Sequence, residues 1–153
     1  MSPKKNNLTP EYTENETGLL LWQTARQWEK IIRDTLARQE FSYLEYILLS
    51  RLITLEKKEK QITQVMLAQF TNSEIMLTSK AIRSLEEKGL VRRKKSNSDS
   101  RANLIVSTDK GSKKLDKIQK SVNETEQNFF AALDSKKSIL SKNLQKVFSA
   151  QLS

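Results

Sequence analysis

After Pro10 the chain contains no further proline, and its 153 residues include only three glycines, Gly18, Gly89 and Gly111. Proline and glycine are the residues that most readily end or bend regular structure. A chain with so few of them beyond its first ten residues is expected to be mostly helical. Its length suits one domain with a real core.

Hydrophobic periodicity divides the chain. Residues 1–16 read as a flexible polar arm. From Thr17 to about Arg38, Leu21, Ala25, Trp28, Ile32 and Leu36 recur at helical spacing, and Leu19, Leu20, Trp22 and Ile31 widen that stripe beyond one face. A helix apolar on two sides has two clients, its own core and a partner chain. The tryptophans could also line a small-molecule pocket, but core or dimer contact is the favoured reading. Ser42 and Glu45 form a capping box for a helix running to about Leu55. That helix is apolar almost all round and should be the central buried one. Glu56–Lys60 reads as a solvated turn.

Thr63 can cap a short helix carrying Val65, Leu67, Ala68 and Phe70. A break follows at Thr71–Asn72–Ser73, and a second helix spans about Glu74–Lys88, stopped by Gly89 in the C′ position. The outline is a helix-turn-helix. Ile75, Thr78, Ile82 and Leu85 are expected to face inward. Met76, Leu77, Ser79, Lys80 and Arg83 should face outward, with Ser73 at the leading end. A helix entering a major groove needs small residues for close approach and donors for base edges and phosphates, and this outer face supplies both.

The next segment strengthens that reading. Val91–Lys95 and Asn103–Ser107 can pair as a β-hairpin around a tip of Ser96, Asn97, Ser98, Asp99 and Ser100. Residues 92–101 hold five cations and one anion, so the arm has no acidic partners nearby. Arg92, Lys94, Lys95 and the tip would meet phosphates. Arg101 suits a minor groove, with Asp99 orienting it.

Thr108 is expected to cap another helix, with Leu115, Ile118, Val122, Phe129 and Leu133 on one face and Lys110, Lys113, Lys114, Lys117 and Lys120 near its start. After Asp134–Ser135 a last helix carries Ile139, Leu140, Leu144, Val147, Phe148 and Leu152. Helices this long cannot all be buried within one chain. The expectation is therefore a mainly α fold with a small β-hairpin, in which 17–40 and 109–153 are dimerisation helices around a DNA-binding centre at 41–108.

Composition narrows the function. A net charge of +9 favours polyanions. With no cysteine and no histidine, thiol chemistry, thiolate metal sites and histidine general bases are excluded. Neither a cofactor nor a metal is expected, and an enzyme is the weakest reading. No run reaches the roughly 18 apolar residues of a membrane span, and Met1–Pro10 lacks a signal-peptide core. The expected location is cytoplasmic, with no membrane partner.

The order of parts resembles the MarR (multiple antibiotic resistance regulator) family. The specific motifs are VMLAQFTNSEIMLTSKAIRSLEEKGLVRR, then DSR, then LIVSTDKG. The resemblance implies a homodimeric winged helix-turn-helix repressor that binds double-stranded DNA at a palindromic operator. Recognition-helix positions fall on Met76, Leu77, Ser79, Lys80 and Arg83, and the wing falls on Arg92 to Arg101. The family's Asp-Arg-Arg becomes Asp99–Ser100–Arg101, with Ser100 a departure. Gly111 fits the junction into the next helix, although Ser107 replaces the usual leucine. The resemblance also implies release by a small aromatic ligand, for which Trp22, Trp28, Tyr43 and Tyr46 are the candidate effector pocket. The rival from another class is an interaction module whose basic wing grips an acidic partner protein.

Overall fold

Helix α1 (Thr17–Ala37) follows a 3₁₀ turn at Glu14–Glu16. The computed structural model describes residues 11–59, 61–96 and 103–152. Helix α2 (Tyr43–Leu55) begins at the capping box read from the sequence. The Ser42 hydroxyl accepts from the Glu45 N–H at 3.1 Å, and the Glu45 carboxylate accepts from the Ser42 N–H at 2.7 Å. Leu48, Leu49 and Leu52 are buried, and α2 packs against the elements on every side of it. All-round apolarity is what a central helix requires.

Helix α3 (Gln64–Phe70) is capped by the Thr63 hydroxyl, which accepts from the Met66 N–H at 3.2 Å. Helix α4 (Ile75–Glu87) ends at Gly89, with φ +72. The Leu90 N–H reaches back to the Leu85 carbonyl and the Gly89 N–H to the Glu86 carbonyl, both at 2.9 Å. This is a Schellman motif, sealed by the buried pair Leu85 and Leu90. Helices α1 and α3 end the same way through the left-handed residues Glu40 and Asn72.

Strands β1 (Val91–Lys95) and β2 (Asn103–Ser107) are antiparallel, with Val91 opposite Ser107 and Lys95 opposite Asn103. Thr63 bridges to Leu104, and the Ile105 N–H donates to the Ile62 carbonyl at 2.8 Å. The hairpin root is thus stitched to the segment between α2 and α3. Helix α5 (Asp109–Phe129) starts at Thr108, whose hydroxyl accepts from the Gly111 N–H at 3.0 Å. It stops at Phe129, before the expected Leu133, and a 3₁₀ segment at Ala131–Lys136 leads into α6 (Lys137–Ala150). The core joins Ile32 and Leu36 of α1 to α2, α4, the hairpin and Ile118 and Val122 of α5. No residue of α6 is buried.

Two expectations are corrected. Ile75 is 57% exposed rather than inward, and Ala81 takes the fourth buried position on α4 beside Thr78, Ile82 and Leu85. The reason is an open concavity between α3 and the start of α4, which leaves Ile75 uncovered. Glu56 is not part of a merely solvated turn. Its carboxylate accepts from the Ser107 N–H at 2.7 Å and the Ser107 hydroxyl at 2.5 Å. An anion at a helix C-terminus is unfavourable, and these charge-assisted bonds offset that while fixing the hairpin root.

Gly111 fits the fold by close approach rather than by turning. The Leu90 carbonyl accepts from the Thr108 N–H at 3.1 Å, and a Cβ on Gly111 would lie 2.1 Å from the same oxygen. Backbone cannot yield as a flexible side chain does. Gly111→Ala is expected to cost about 2–3 kcal/mol of stability, measured by urea unfolding. A wild-type unfolding midpoint would contradict the contact.

Candidate nucleic-acid interface

On α4 the buried residues Thr78, Ala81, Ile82 and Leu85 define the inner face. Met76, Lys80 and Arg83 follow i, i+4, i+7 spacing and form one exposed stripe on the opposite side. Leu77 flanks the stripe at 52% exposure, and Ser79 is half-buried on the other flank. Of the outward set read from the sequence, Met76, Leu77, Lys80 and Arg83 are exposed, and Ser79 lies at the half-buried edge. Ser73 is half-buried, and its hydroxyl accepts from the Thr71 hydroxyl at 2.9 Å.

The alternation of β1 divides its cations. Arg92 and Lys94 share one face, while Arg93 and Lys95 share the face of Val91. All four are exposed. The expectation that the arm has no acidic partner fails for Arg93. Its guanidinium lies 3.6 Å from the Glu86 carboxylate of α4, and its N–H donates to that carboxylate at 3.4 Å. A pair this open to water is worth little energy, but it ties the wing to the helix beside it. Sequence inspection misses Glu86 because its place at the far end of α4 does not show which strand residue it faces. Ser96, expected at an open tip, is buried. Asn97, Ser98, Asp99, Ser100 and Arg101 lie outside the described residues.

At its C-terminal end α4 is held by Glu45. Glu45 is only 5% exposed, and its carboxylate accepts from the Ser84 hydroxyl at 2.6 Å and the Lys88 ammonium at 2.8 Å. Lys88 also donates to the Glu40 carbonyl at 2.7 Å and lies 4.9 Å from the Phe41 ring centre. Burial pushes the Glu45 carboxyl up, but the hydrogen bonds from Lys88, the Ser42 N–H and Ser84 outweigh it, so its pKa lies below the ordinary value.

The four aromatic residues proposed to gather do so incompletely. Trp28 packs edge-on to Phe129 at 5.3 Å and tilted to Phe130 at 5.9 Å, and its indole N–H reaches the Tyr43 hydroxyl at 3.5 Å. Tyr43 stacks on Tyr46 with ring centres 6.4 Å apart. Trp22 is 62% exposed, with Arg26 over its ring, and has no part in these contacts. Residues 22 and 28 are six positions apart on one helix and so point in different directions. The sequence reading missed Phe130, which follows the last helical residue of α5. Among the described residues no group of three or more Asp or Glu is placed to hold a metal ion, and no helix is long and apolar enough to cross a membrane.

The layout, two helices across a tight turn followed by a hairpin packed on the second helix, defines a winged helix-turn-helix protein, mainly α with a β-hairpin wing. Comparison with known proteins makes the assignment specific. The MarR family profile matches residues 49–102. YdcH of Bacillus subtilis (strain 168), an uncharacterised HTH-type transcriptional regulator, is 32% identical over 124 residues, spanning 81% of this chain and 84% of that protein. A MarR-family transcriptional regulator from Rhodococcus sp. RHA1 has the same fold, with a TM-score of 0.78 at 19% identity over 90% of this chain and 96% of that one. The S. aureus MepR–DNA complex superposes with a TM-score of 0.76 at 21% identity over 92% of this chain and 99% of that one. The chain belongs to the MarR family.

The depressed pKa of Glu45 has a signed consequence. Its contribution to stability is present above the unfolded-state value, near 4.5, and is lost as pH falls through the lower folded-state value. Glu45→Gln keeps the capping geometry and removes the charge facing Lys88. It is expected to lower stability at neutral pH by about 1–2 kcal/mol, with the gap to wild type closing in acid. A gap that does not change with pH would contradict the assignment.

Proposed function

We propose that the chain is a cytoplasmic, homodimeric transcriptional repressor that binds a palindromic operator through α4 and the wing and is released by a small aromatic effector. The observation that carries this reading is the alignment of two exposed surfaces. The Met76–Lys80–Arg83 stripe of α4 lies beside a strand whose cations Arg92, Lys94 and Lys95 have no ion-pair partner among the described residues. A helix with an uncovered outer face and a cationic strand at its side suits a major groove and its phosphate rims. The wing tip, with Asp99 orienting Arg101, would reach the flanking minor groove. MepR, of the same fold, is known as a DNA complex.

The dimer rests on apolar surface that one chain leaves open. Leu19, Leu20, Leu21, Trp22 and Ile31 of α1 are exposed, as are Ile139, Leu144, Val147 and Phe148 of α6. Patches of this kind mark interaction sites, and a second copy of the same two helices supplies the matching surface. Two-fold symmetry then sets the operator half-sites about one turn, roughly 10 bp, apart. The Trp28, Tyr43 and Tyr46 cluster, with Phe129 and Phe130, sits where α1, α2 and α5 meet. An aromatic ligand entering there would alter the angle between the dimer layer and α2.

Selection of bound duplexes from a random pool tests the proposal. A palindromic motif with that spacing is expected. A pool without enrichment would contradict it, and capture of an acidic protein partner that excess duplex does not displace would favour the rival reading. Lys94→Ala should weaken binding to all sequences about equally and reduce the salt slope by ~1 per half-site. An unchanged slope would remove Lys94 from the phosphate contacts.

A further inference from the structure

The leading turn of α4 is apolar where a groove-reading helix would be expected to carry hydrogen-bonding side chains. Met76 is 83% exposed and Leu77 is 52% exposed. Met76 heads the outward stripe, one turn ahead of Lys80 and two ahead of Arg83. The neighbouring polar groups do not replace it. The Ser73 hydroxyl is engaged with Thr71, and Glu74 carries the same sign as DNA. In this docking geometry the N-terminal residues of the helix meet the base edges. The residues in that place offer no hydrogen-bond donor, and their one acceptor is the weak thioether of Met76.

From this we infer that Met76 and Leu77 are specificity-determining residues that read the C5-methyl groups of thymines in the major groove. The inference rests on the function proposed above. Pressed against an amino group or a carbonyl, these side chains would strip water from the base without replacing its hydrogen bonds, which costs free energy. Pressed against a methyl group, they gain by burial. Thymine presents the one methyl group in the major groove. The surroundings favour DNA over an apolar protein as the occupant. The patch is continuous with Lys80 and Arg83, and the exposed cations of β1 lie beside the same helix. Ile75 is not part of the reader. It lies seven residues before the buried Ile82, in line with that residue and away from the Met76 stripe, and borders the open concavity toward α3.

The test uses the full chain and a duplex recovered by selection. Each thymine is replaced singly by uracil, which removes the methyl group and leaves the protein unaltered. Binding is expected to weaken about fourfold at one or two positions per half-site, equivalent to ~0.8 kcal/mol for one buried methyl group. The Met76→Ala/Leu77→Ala double variant should lose that sensitivity while keeping its salt slope, and Ile75→Ala should keep both. Wild-type binding indifferent to uracil at every position would overturn the inference and leave the proposed function standing. So would sensitivity that persists in the double variant. A selection that returns no motif would overturn both together.

Discussion

The buried Glu45 carboxylate governs the direction in which α4 leaves the body of the protein. It caps the start of α2 through the Ser42 N–H and receives Ser84 and Lys88 from the end of α4. Lys88 in turn ties the α1–α2 corner through the Glu40 carbonyl, while its own carbonyl accepts from Lys110 of α5 at 2.8 Å. A buried ion pair contributes little net stability once desolvation is counted. What this one contributes is position, because the α1–α2 corner, the start of α2 and the end of α4 meet at two side chains, with α5 tied on through the Lys88 carbonyl. The wing inherits that position. Glu86 sits two residues before Lys88 and holds Arg93, and the Leu90 carbonyl packs against Gly111 at the start of α5. Helix and wing therefore share one frame.

Much of this was legible in the sequence, because the relevant signals are local. The capping box at Ser42, the caps at Thr63 and Thr108 and the stop at Gly89 depend on residues within a few positions, and the two strands have the bounds read from their composition. The failures came from contacts distant in sequence. Nothing near Glu56 announces Ser107, and nothing near Arg93 marks Glu86 as its partner rather than a solvated acid. Ile75 fits the inward period, but periodicity does not record that α3 stops short of covering it. Glu40 and Asn72 adopt the left-handed geometry of Gly89 without glycine, so the ends of α1 and α3 carried a weaker signal. The aromatic set was partly legible: composition supplied the rings, and helical phase separated Trp22 from the others.

Two groups of exposed apolar residues have different companions. Those on α1 and α6 belong to the long helices that enclose the chain ends, and α6 has no buried residue of its own. Met76 and Leu77 stand instead at the tip of α4 amid basic residues. The first group suits a like surface on a second copy, and the second suits the floor of a groove in a polyanion. Both readings follow from one rule, that a large apolar area left open has an occupant.

Hydroxyl-radical footprinting of the selected duplex tests the shared frame and its duplication most directly. The account predicts two symmetric protected patches on one face of the duplex, centres about one helical turn apart, each flanked by a minor-groove protection from the wing. A single asymmetric patch, or two patches with no added protection in the flanking minor grooves, would contradict it.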